Sequence, residues 1–220
     1  MKIIDHHQQK LLYLFVWGIA FGYIEAAIVI YLRVLYYPGG FSFPVVFADD
    51  VIAAVEIIRE LATLILIWAT AALSYPTGRQ RFSAFMILFG VWDIFYYIFL
   101  KMFLDWPASF FTWDILFLIP TPWVGPVWAP IVVSIGLIMA GTTILFFNAN
   151  QTPLKLTKLF WIIECICGLI IIVSFLIPGN VVYQNGIPDN YPWYLFWIAY
   201  LTGIFFFIRM IYLSVNKKQL

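Results

Sequence analysis

The chain has 220 residues, of which 64% are hydrophobic and only 10% charged, with a mean hydropathy of +0.96. So little charge cannot screen that much apolar surface from water, which excludes a soluble globular protein and predicts an integral membrane protein. A net charge of +1 gives no basis for a nucleic-acid partner.

Taken in order, the apolar runs predict six transmembrane helices in a single all-α domain covering 1–220. The first, 11–36, is too long for a signal-peptide core and has no small-residue cleavage site, so it is expected to stay as an anchor. His6 and His7 precede it and read as a solvated tail. Gly18 and Gly22 on this run form a small-xxx-small step, a signal for close helix approach. After the breaker YYPGGFSFP come the second span, 51–73, and the third, 82–104, separated by SYPTGRQR. The segment 110–119 is expected to be a short interfacial or re-entrant helix. It leads into PTPWVGPVWAP, whose four prolines in eleven residues rule out a regular helix there. The fourth span, 124–147, carries Gly136, Ala140 and Gly141 as a second packing signal. The fifth, 159–177, contains Cys165 and Cys167, which point in different directions on a helix and suit neither a disulfide nor a metal clip. The sixth, 193–213, closes the bundle.

The basic residues fall at alternate ends. Lys2 and Lys10, Arg79 and Arg81, Lys155 and Lys158, and Lys217 and Lys218 all lie at one side of a six-span arrangement. This pattern predicts that both termini are cytoplasmic. Tyr36, Tyr37, Trp106, Trp113, Trp123, Trp193 and Tyr194 supply the interfacial aromatic belt.

Three acids then fall at one depth. A helix rises about 1.5 Å per residue, which puts Glu25 and Asp93 about 17 Å and Glu60 about 14 Å from the outer ends of their spans. Glu56 and Arg59 sit slightly above Glu60. Tyr97 and Lys101 follow Asp93 at four-residue steps and share its face. The expected partners of Asp93 are therefore Arg59, Tyr97, Lys101, Glu25 and Glu60. Acids outnumber bases at this level, whereas a purely structural ion network would balance its charge. At least one carboxyl group is thus expected to hold its proton and to serve as a donor or relay, with Glu25, Asp93 and Glu60 the candidates. Glu56, Arg59, Trp92, Tyr96, Tyr97, Lys101, Trp113, Asp114 and Trp123 form the candidate substrate-binding set, the aromatics lining an apolar pocket. Nearer the other face, Glu164 and Arg209 are expected to form an ion pair across the last two spans. No cofactor or metal is expected. The two histidines are adjacent and precede the first span, and GxSxG, Walker, HExxH and CxxC motifs are absent.

The blocks FGYIEAAIVIYLRVLYYPGGFSFP, GVWDIFYYIFLKMFLDWP and TWDILFLIPTPWVGPVWAP resemble a family of uncharacterised bacterial multi-span membrane proteins. That resemblance implies a bacterial inner-membrane location and no particular activity. The architecture is also similar to the EXPERA group, which includes sterol isomerase and the sigma-2 receptor. There, acids on successive helices face one cavity, a role that would fall here to Glu25, Glu56 or Glu60, and Asp93. The first-helix histidine of the isomerase has no counterpart in GYIE, and this chain has about two more spans. Three functions follow from these features. The first is a membrane-embedded binding protein or enzyme for a lipid-like or isoprenoid-like molecule, with isomerase-type proton chemistry. The second is an accessory subunit of a larger membrane complex. The third is a small proton- or cation-coupled transporter, although no inverted repeat is visible.

Overall fold

The computed structural model of the chain describes residues 6–46 and 50–216. Lys2, Lys217 and Lys218, used above to orient the chain, lie outside the described residues. Six long helices follow one another: α1 (His6–Tyr36), α2 (Asp50–Ser74), α3 (Gly78–Leu104), α4 (Trp128–Ala149), α5 (Lys158–Tyr183) and α6 (Trp193–Asn216). Five of them are long and apolar enough to cross a membrane. The exception, α2, carries Asp50, Glu56, Arg59 and Glu60 in its first half. The chain is a multi-pass helical membrane protein. Local chemistry sets several ends. Thr77 and Thr157 cap α3 and α5 by accepting from the amides of Gln80 and Phe160. Asp105 terminates α3 in the left-handed region at φ 51°.

Helix α3 is the hub, packing against α1, α2 and α4, while α5 pairs with α6. The predicted small-residue contacts are present. A Cβ at Gly18 would lie 2.8 Å from Val91 Cγ1, and one at Gly22 3.0 Å from the Trp92 carbonyl oxygen. Gly141 meets the Ser83 carbonyl and Gly136 the Tyr200 ring in the same way. By contrast, α1 and α2 pack their backbones on α3 and meet each other through side chains, Lys10 reaching the Ser74 carbonyl. Cys165 and Cys167 are free thiols.

The expected short helix at 110–119 does not form. Residues 113–117 and 123–126 are instead the strands β1 (Trp113–Phe117) and β2 (Trp123–Pro126) of an antiparallel hairpin, in which Trp113 faces Pro126 and Asp114 faces Gly125. Pro120, Pro122 and Pro126 deny a helix its donors, whereas a two-stranded ribbon tolerates proline at its tip and edge. The fourth span accordingly begins at Trp128 rather than at 124. The hairpin folds back against α2. The amide of Leu118, at the tip, bonds to Glu60, which is ten residues or about 15 Å inside α2. Backbone at that depth must be covered by protein. One cover is α5, which runs on through Pro178 to Tyr183. Gly179 leaves the room, since any side chain there would collide with the Pro122 carbonyl.

Candidate functional site

Enclosed by α1, α2, α3 and the hairpin is a cavity of about 250 Å³. Its floor is polar and its mouth apolar. Tyr36, Phe41, Val46 and Ile52 line the mouth, at the end of the bundle where α1 stops and α2 starts.

On the floor, Arg59 ties α2 to α1. It is ion-paired with Glu25 and donates through Nη2 and Nε to Glu56 Oε2, at 2.8 and 3.1 Å. Thr63, one turn further along α2, donates to the other Glu25 oxygen at 2.9 Å. Glu25 is buried among these donors. Glu60, on the same helix, accepts from the Leu118 amide through both oxygens, at 2.8 and 3.0 Å, and so holds the hairpin tip. Asp93 faces the cavity from α3, as expected, but its hydrogen-bond partner is the Ser134 hydroxyl of α4, at 2.8 Å. Among the described residues it makes no direct bond to Glu25, Arg59 or Glu60. It shares their cavity without joining their network.

Nearer the mouth is a second cluster. Arg33 Nη2 pairs with Asp114 Oδ1 at 2.7 Å, and the Tyr97 hydroxyl donates to Asp114 Oδ2 at 3.1 Å. All three are buried. The Arg33 guanidinium lies 3.7 Å from the Trp106 ring centre and 4.4 Å from that of Phe41. Trp92 and Tyr96 complete the lining from α3.

Three members of the expected binding set stand elsewhere. Lys101 does not turn inward to Asp93. It reaches out from the end of α3 to the Asp105 carboxylate at 2.7 Å and to the carbonyls of Asp105 and Pro107, because a long cationic stem at a span end snorkels toward water. Trp113 faces away from the cavity, since successive strand residues alternate and Asp114 takes the inward position; its ring meets Tyr191. Trp123 stacks on Phe175 of α5, with 6.4 Å between centres.

The expected Glu164–Arg209 pair is also absent. The register of α5 against α6 explains it. Lys155 is hydrogen-bonded to Ser214, the Phe160 ring meets that of Phe207, and Glu164 packs at Gly203. Arg209 therefore lies level with the first turn of α5, exposed, about 9 Å along the axis from the level of Glu164.

Arg33, Thr63 and Ser134 were missed by sequence reasoning. Arg33 had a signal, since it is two turns beyond Glu25 on the same stripe of α1. Ser134 had none, because a hydroxyl in an apolar run does not alter its periodicity. Among the described residues no group of His, Cys, Asp and Glu side chains is arranged to hold a metal. Comparison with protein-family models, with curated proteins and with solved structures found no match.

Proposed function

We propose that this is a membrane-embedded binding protein or enzyme for a lipid-like, isoprenoid-like amphiphile, with intramembrane carboxyl groups as proton donors or relays. One observation carries the reading. Glu25, Glu56, Glu60, Asp93 and Asp114 converge with only Arg33 and Arg59 on a single cavity that has an apolar mouth. Charged side chains at such depth are costly and mark functional sites by default. Glu25, Glu56 and Asp114 are tied to arginine, whereas Glu60 and Asp93 are in ion-pair contact with no Lys or Arg among the described residues. Glu60 and Asp93 can thus change protonation without breaking an ion pair, which suits them to pass a proton to a bound molecule. Lys10, Arg79, Arg81, Lys155 and Lys158 gather at the opposite end of the bundle, which favours cytoplasmic termini in a bacterial inner membrane and a cavity opening toward the outer leaflet.

Lipid analysis of the purified protein tests this. In mild detergent the wild type should retain an amphiphile enriched over bulk lipid. Ala53→Trp, which sets a bulky ring into the wall of the cavity, should lose it. Identical lipid profiles for the two proteins would refute the reading.

A further inference from the structure

Buried polar atoms are nearly always hydrogen-bonded, so each exception needs a physical reason. Two residues lining the cavity carry such an atom, Arg33 at Nη1 and Trp92 at Nε1. Both atoms are donors that cannot accept. A ligand that satisfies them must bring acceptors.

Arg33 is the more constrained of the two. It is 7% exposed. Asp114 holds Nη2 at 2.7 Å, and the guanidinium sits in the corner formed by Trp106 and Phe41. One edge and the plane of the group are therefore fixed, and Nη1 is left with its hydrogens unmet. Arg33 is three residues, about 5 Å, inside the end of α1, close to the level at which polar headgroups begin.

We propose that Arg33 is the oxyanion subsite of this cavity, receiving a phosphate or carboxylate group at Nη1. The inference rests on the reading of the cavity as a binding site and specifies the head of its ligand. A guanidinium matches such oxyanions in charge and donates charge-assisted hydrogen bonds to them, here through Nη1. The acids around it do not take its place. Asp114 is spent on Nη2 and on Tyr97. Glu25 and Glu56 are held by Arg59, Glu60 by the hairpin amide and Asp93 by Ser134. The oxyanion could be the head of an amphiphile or a free ion, and the test separates the two.

The full chain in neutral detergent is titrated with dodecyl phosphate, with dodecanol as a neutral-headed control, and with sodium phosphate as competitor. Native mass spectrometry reads the binding. Dodecyl phosphate should bind about tenfold or more tightly than dodecanol, as expected for a charge-assisted hydrogen bond. Arg33→Gln should remove that preference. Asp114→Asn, which takes away the competing carboxylate, should increase it, and carries the test if the glutamine variant does not fold. Displacement by sodium phosphate assigns the subsite to free oxyanions, and resistance to displacement assigns it to a lipid head. Equal binding of dodecyl phosphate and dodecanol overturns the subsite and leaves the cavity reading standing. A preference unchanged by Asp114→Asn also overturns the subsite. Binding of neither probe overturns both.

Discussion

Arg59 and Asp93 illustrate two ways of keeping charge inside a membrane. Arg59 balances two carboxylates at once, so its removal leaves both without a counter-charge. Arg59→Leu should destabilise the protein by about 3–5 kcal/mol, the usual cost of breaking a buried pair, read as a loss of thermal stability in detergent. Asp93 depends on one hydroxyl. Ser134→Ala, which leaves that carboxyl group unsatisfied, should cost about 1–3 kcal/mol, and Asp93→Asn should fold normally, since the amide oxygen still accepts from Ser134. If Asp93 is a proton relay, Asp93→Asn binds its amphiphile yet cannot turn it over; equal turnover by wild type and variant would show that Asp93 only packs. At the rim, hydrogen bonding to Lys101 and its charge hold the exposed Asp105 carboxyl below its ordinary value of 3.8. A depressed acid stabilises the fold above that value and loses its effect as pH falls through the folded pKa. The small difference in melting temperature between wild type and Lys101→Met should therefore be present at neutral pH and vanish in strong acid. A difference that persisted there would show that Lys101 acts through its bonds to the Asp105 and Pro107 carbonyls or through packing, and not through the carboxylate.

At the scale of elements, the hairpin is the informative one. It is gripped from two sides, by Glu60 at its tip and by α5 along β2. Gly179→Val should force the ribbon off α5 and cost about 1–3 kcal/mol, as overpacking does. It should also impair ligand retention, because the hairpin forms one wall of the cavity. Normal retention in a folded Gly179→Val protein would show that the wall is dispensable. The six helices were legible because apolar runs and proline breakers mark them off, and five of the six are long and apolar enough to cross a membrane. The hairpin was not. Its prolines argued against a regular helix at 120–130, but the stretch before them is short and apolar, which periodicity cannot assign to helix or strand. Nor could depth along each span reveal the rotation and register of helix pairs, which decided Asp93–Ser134 and the separation of Glu164 from Arg209.

For the whole molecule, the end of the bundle that holds the cavity is expected to face away from the cytoplasm. A cysteine in place of Asn185, in a background lacking Cys165 and Cys167, should react with an impermeant maleimide in intact cells. Labelling only after the membrane is opened from the inside would invert the topology. The convergence of α1, α2 and α3 on one polar level was legible from helix rise alone. That level was nonetheless assembled with parts from beyond those helices, Ser134 of α4 and the hairpin amide of Leu118, so the first three spans do not complete the site by themselves.

The contact between Gly179 and the Pro122 carbonyl bears on biogenesis. The hairpin is synthesised well before α5, the helix that shields part of its backbone from lipid. A nascent chain that has released the hairpin but not yet α5 has no complete cover for those peptide groups at depth. If the ribbon lies within the bilayer, it is expected to enter the bundle with the arrival of the fifth helix rather than on its own emergence from the ribosome.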